Sequence, residues 1–128
     1  MPITALYAAL LTPIFVVLSA RVIAMRRGSR FALGDGGNLD LLRRMRVQAN
    51  FAEYVPLALI LLGLSESLHT SKWLLHVLGL TLLIGRLSHA IGVSRSNEQF
   101  RFRVIGIALT FTMLTGAALV CLYDFASF

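Results

Sequence analysis

From Val104 to Tyr123 the chain runs for 20 residues without a charged side chain, and it does so again from Met1 to Ala20. Roughly 20 residues of helix cross the ~30 Å hydrocarbon core of a bilayer. Backbone in lipid must satisfy its own hydrogen bonds, so such runs read as transmembrane helices. Two further runs are nearly as apolar. The sequence therefore predicts helices over about 3–25, 44–68, 71–93 and 104–123. The expected fold is an all-α membrane protein, a four-transmembrane-helix bundle running up-down-up-down, with residues 1–128 as one domain. Composition agrees: 57% of residues are hydrophobic, 14% are charged, and mean hydropathy is +0.78. A soluble domain this small could not hide that much apolar surface from water.

The net charge of +6 is compatible with nucleic acid, but the arginines punctuate apolar runs and form no stripe, so no nucleic-acid partner is expected. Cys121 is the single cysteine, which forbids an intrachain disulfide; in an apolar run it reads as a small packed hydrophobe. Met1 to Thr4 lack the positive region of a signal peptide, so the first run reads as a retained anchor.

Charge sets an expected orientation. Arg21, Arg26, Arg27, Arg30, Arg43, Arg44, Arg46, Arg86, Arg95, Arg101 and Arg103 all lie in or near the first and third connections. Lys72 alone belongs to the other face, beside Trp73, which suits a membrane interface. The positive-inside rule then puts the arginine-rich loops in the cytoplasm and both termini outside. In the first loop the Gly/Asp/Asn cluster from Gly34 to Asp40 breaks the helix. Asn38 or Asp40 is placed to cap the next one.

Polar side chains inside a membrane helix are costly to insert and usually functional. The second helix carries several. At ~100° per residue, Arg43, Arg46, Asn50, Glu53 and Tyr54 fall within roughly a third of its circumference. Pro56 follows and removes one helical hydrogen bond, a place for a kink. Two readings are open: a polar network joining helices, or a binding face for a small zwitterion. For the second, guanidinium forks fit carboxylates and Glu53 fits an ammonium.

The stretch from Arg46 through Gln48, Asn50, Glu53 and Tyr54 to Pro56 resembles the R-x-Q-x-N-x-x-E-Y-x-P signature of the MAPEG family, the membrane-associated proteins of eicosanoid and glutathione metabolism. The match covers six spaced positions, and the four-helix layout extends it over nearly the whole chain. The resemblance implies a bacterial-type protein similar to the microsomal glutathione transferases, in the inner membrane, with glutathione held between subunits of a homotrimer. Arg46, Asn50, Glu53 and Tyr54 would contact glutathione. Arg26, at the end of the first helix, would meet one of its carboxylates. Gln48 lies on a different face from Arg46, and either faces a neighbouring subunit or is structural.

By the same resemblance an arginine near the start of the fourth helix holds the glutathione sulfur. Arg103, in the R-x-x-G form with Gly106, fits better than the alternate, Arg101. The bland reading is that both anchor the helix at headgroups. Where active relatives carry tyrosines on the third helix, this chain has His89 and Val93. His89 can donate a hydrogen bond in place of a phenol; Val93 cannot. Arg86 is expected to pair with Glu53 or a backbone carbonyl. Gly79, Gly85 and Gly92 are read as sites of close helix packing. His69 and His76 find no third ligand in register, so no metal is expected.

The leading expectation is a transferase or peroxidase that uses glutathione as co-substrate. Its second substrate would be a lipophilic electrophile or lipid hydroperoxide arriving through membrane lipid. A non-catalytic glutathione- or lipid-binding protein is the alternative. A small proton-coupled transporter built on Glu53 is less favoured, because the arginines around that carboxylate would repel a cationic cargo.

Overall fold

The computed structural model describes residues 1–29, 33–94 and 100–128. These form four helices, α1 (Pro2–Ser29), α2 (Leu39–Ser67), α3 (Lys72–Ser94) and α4 (Phe100–Ala126), with no strand among the described residues. All four are long and apolar enough to cross a membrane. Arg30 and Arg95, which entered the charge argument, lie outside the described residues.

Three helices outrun the bounds expected from sequence. α1 continues from Met25 to Ser29, α2 begins at Leu39 and not at Arg44, and α4 extends the expected span at both ends. The expectation ended α1 before Arg26, began α4 after Arg103 and began α2 only at Arg44, within the arginine cluster. Arginine is a good helix former, however, and a helix has no reason to stop at the headgroups. The 28 residues of α1 rise ~42 Å, about the thickness of a bilayer including its polar regions. What starts α2 is a cap. Asn38 Oδ1 accepts from the backbone N–H of Asp40 (2.9 Å) and Leu41 (3.2 Å), satisfying two of the donors a helix start leaves open. α2 runs unbroken through Pro56, as α1 does through Pro13.

The end of α2 is closed by a Schellman motif. The N–H of His69 bonds the carbonyl of Glu66 and that of Thr70 the carbonyl of Ser65, with His69 left-handed at φ 68° where glycine is usual. His69 is thus a turn residue. His76 faces α1 instead, its Nδ1 2.9 Å from the Tyr7 hydroxyl.

Polar contacts between helices fix the topology at both ends of the bundle. At the arginine-rich end, Arg26 Nη2 meets Met45 Sδ, Arg44 Nη1 donates to the Arg21 carbonyl and Ser88 Oγ donates to the Phe102 carbonyl. At the other end, the Glu66 carboxylate accepts from the backbone N–H of Ile3 and Thr4 and from the Thr4 hydroxyl, at 2.7–2.9 Å. It caps α1 from a different helix. Ser65 Oγ lies 3.2 Å from Cys121 Sγ, and Thr70 donates to Asp124. Sequential helices are therefore antiparallel and α1 runs parallel to α3, which is the up-down-up-down bundle.

α2 and α3 form the centre. Each touches the other and both flanking helices, whereas α1 and α4 do not meet among the described residues. The core joins Tyr7, Leu11, Phe51, Leu62, Leu82 and Met113. Glycines set the closest approaches. A Cβ on Gly106 would lie 2.5 Å from the His89 backbone nitrogen, and one on Gly92 would lie 2.5 Å from that of Arg103. A Cβ on Gly79 would enter the Tyr7 ring. The backbone-to-backbone contact at Gly92 and Gly106 is how membrane helices gain packing when lipid removes any hydrophobic drive between them.

Candidate functional site

The core-facing side of α2 is set by Val47, Phe51, Ala58 and Leu62, each at most 5% exposed. The polar set sits on the shoulder of that side, so the structure divides it. Asn50 turns inward and is 8% exposed. Arg46 and Glu53, two turns apart on nearly the same line, are both exposed, and Tyr54 is half-buried. Arg43 stays local, 3.3 Å from Asp40. Gln48 is half-buried about 160° round the helix from Arg46, so it does not join the set.

Arg86 is what Asn50 faces. This arginine is 2% exposed, enclosed between α2 and α4. Its Nη1 donates to Asn50 Oδ1 at 2.5 Å and its Nε to Thr110 Oγ1 at 3.1 Å. The Thr110 hydroxyl passes the bond on to the Gly106 carbonyl at 2.8 Å. The guanidinium carbon lies 6.0 Å from the centre of the Tyr54 ring, within cation–π range. That ring in turn meets Phe111 edge-on at 5.4 Å. One residue therefore ties α2, α3 and α4, and its Nη2 is buried without a partner among the described residues. The expected pairing of Arg86 with Glu53 or a backbone carbonyl is not what forms. Glu53 is turned ~60° outward from Asn50 on α2 and stays at the surface, leaving the amide and a threonine hydroxyl as partners.

His89, one turn after Arg86, is buried against α4 at Gly106. The charges of Arg86, Arg103 and Arg46 all act on its ring, so α2, α3 and α4 each bring an arginine to this end. Arg103 and Arg101 are both exposed. Arg103 shares the α3-facing side of α4 with Gly106 and Thr110, and its backbone rests on Gly92. Arg101 falls ~160° round the helix. Arg26 is half-buried, its Nη1 donating to the Gly34 carbonyl at 2.8 Å and its Nη2 reaching Met45, next to Arg46. Val93 is buried at 6% and offers no hydrogen bond.

The structure thus gathers Arg46, Asn50, Tyr54, Arg86, His89 and Arg103 at one end, with Glu53 on the adjoining surface. Thr110 went unmarked by sequence reasoning. A threonine in an apolar run ordinarily bonds the carbonyl four residues back, and nothing in the run shows that this one also accepts from an arginine.

Four membrane-crossing helices with a buried arginine tie at the basic end define a polytopic membrane protein with a polar site within the bilayer. Residues 4–123 match the MAPEG family, and the chain belongs to it. Among curated relatives, the inner membrane protein YecN of Escherichia coli strain K12 is 35% identical over 112 residues, covering 88% of this chain and 84% of YecN. YecN of strain O6:H1 matches to the same extent.

Proposed function

We propose that this protein binds glutathione on the Arg46–Glu53 face and uses its sulfur on lipophilic electrophiles or lipid hydroperoxides. The observation that carries this reading is the pairing of an exposed guanidinium with an exposed carboxylate on a membrane-spanning helix, two turns apart, around an amide fixed by Arg86. Neither charge belongs against lipid. A second copy of the chain would cover them, as in the glutathione-holding trimers of the family, and a zwitterionic peptide with two carboxylates and one ammonium complements them. Arg26 and Arg46 then take carboxylates, Glu53 the ammonium, and Asn50, Tyr54 and His89 the peptide groups.

Arg103 would stabilise the thiolate. In conjugation the sulfur forms the new bond to carbon and the leaving group departs with its electron pair. In peroxide reduction two glutathiones become one disulfide while the hydroperoxide becomes alcohol and water. The chain would lie in a bacterial inner membrane, as YecN's name states for that protein, with the arginine-rich loops cytoplasmic, so that glutathione enters from the side where it is made. The buried Val93, in place of a phenol, favours a second reading: a binding protein without turnover.

The test is calorimetric titration of glutathione into purified protein in detergent. Arg46→Ala should weaken binding at least about tenfold, ~1.4 kcal/mol, and Glu53→Gln should act likewise. Normal affinity in both folded variants would leave the face as structural contact only. Turnover of a chromogenic electrophile then separates the enzyme from the binding protein.

A further inference from the structure

On the flank away from α4, α1 and α3 leave an apolar groove of about 460 Å³. Pro13, Val17 and Arg21 of α1 and Leu87, Ala90 and Ile91 of α3 line it. From Pro13 to Arg21 the groove extends ~12 Å along the helix, close to the depth of one leaflet's hydrocarbon. All of its lining is apolar save for one cation, Arg21, at the basic end. Arg44 of α2 adds a second beside the groove, outside its lining. Its guanidinium donates to the Arg21 carbonyl at 2.9 Å, and its charge acts on that of Arg21. Neither arginine has a carboxylate within ion-pair distance among the described residues, where the ion pair is Arg43–Asp40.

The two like charges repel each other across the α1–α2 contact. An anion between them relieves the repulsion, and a guanidinium fork suits the oxygens of a phosphate diester. Below the anion, the groove offers the shape and chemistry of an acyl-chain seat one leaflet deep. We propose that the α1–α3 groove is a binding site for one anionic phospholipid, with the phosphate on Arg21 and Arg44 and an acyl chain reaching to Pro13. The site is separate from the Asn50–Arg86–Thr110 tie and does not depend on glutathione binding.

The experiment is native mass spectrometry of protein released from nanodiscs of equimolar phosphatidylglycerol and phosphatidylcholine. Wild type should retain one phosphatidylglycerol per chain in preference to phosphatidylcholine. Arg21→Gln should reduce that retention at least about fivefold. Arg27→Gln, which removes the same charge from an exposed position outside the groove, should not. Ile91→Trp leaves the charges intact and fills the apolar length, and should also release the lipid, which keeps the test decisive if Arg21→Gln does not fold. Equal retention of the two lipids by wild type, unchanged retention in Arg21→Gln or Ile91→Trp, or an equal loss in Arg27→Gln would each overturn the proposal.

Discussion

Asn50 and Glu53 are one turn apart on α2 and look equally committed in the sequence, yet their energetic roles differ. Asn50 supplies a short acceptor to a guanidinium that is 2% exposed. Asn50→Ala takes that acceptor from a buried charge, and a buried charged donor left without its partner costs more than the roughly 1–3 kcal/mol of a neutral one. We expect the variant to lose roughly 2–4 kcal/mol in unfolding by denaturant in micelles. Glu53→Gln changes an exposed group and should stay within about 0.5 kcal/mol. Similar losses in the two would mean that Arg86 draws little from Asn50. Arg103 is argued on rate, not stability. Arg103→Ala should spare glutathione affinity but slow conjugation at least about tenfold near neutral pH, with rising pH partly restoring the rate as hydroxide makes the thiolate instead. Arg101→Ala, on the other side of α4, should leave the profile as it is. A shifted profile in Arg101→Ala alone would transfer the role.

At the scale of elements, the α3–α4 seam decides whether this site holds together. His89 and Arg86 reach α4 because Gly106 lets the two backbones approach, with Gly85 and Gly92 doing the same from α3. Gly106→Ala puts a methyl group 2.5 Å from a backbone nitrogen that cannot swing aside. Overpacking of this kind costs about 1–3 kcal/mol, and prising the seam apart should weaken glutathione binding too. Gly116→Ala meets only a leucine methyl at 3.5 Å, ordinary contact distance, and should be near neutral or slightly stabilising. Equal melting temperatures for the two variants would show that the seam gives way more easily than its geometry implies.

The glycines of α3 were legible as packing sites because glycine in a helix costs stability and has to be repaid by close approach. The polar set of α2 was legible because charge in an apolar run stands out. Which members face inward was not. The set lies on the shoulder of the helix, so an angular difference of ~60° separates buried Asn50 from exposed Glu53, and only the position of α3 and α4 resolves it. The helix ends differ from the expected bounds for a related reason. Hydropathy reports where lipid ends, whereas the Asn38 cap and the Glu66 carboxylate on α1 report where backbone donors are satisfied. The second of these joins residues more than sixty positions apart.

For the whole molecule the governing quantity is the distribution of charge between its two ends. Eleven arginines lie in or near the first and third connections and one lysine near the second. Four spans return the chain to its starting side, so both termini share the face of Lys72. Positive side chains in short loops resist translocation, and the expected arrangement places Leu33 in the cytoplasm and Ser127 outside. Leu33 is 89% exposed in the first connection, a better reporter than its glycine neighbours, whose positive φ values a cysteine would strain. With Cys121 replaced by serine, Leu33→Cys should resist a membrane-impermeant maleimide in intact cells and react after lysis. Ser127→Cys should react in both. The reverse pattern would invert the protein and with it the route to the site, since Arg26, Arg46 and Arg103 would then open away from the cytoplasm. A hydrophilic tripeptide cannot reach them through lipid, so an inverted topology would count against glutathione as the ligand even if the side chains themselves were intact.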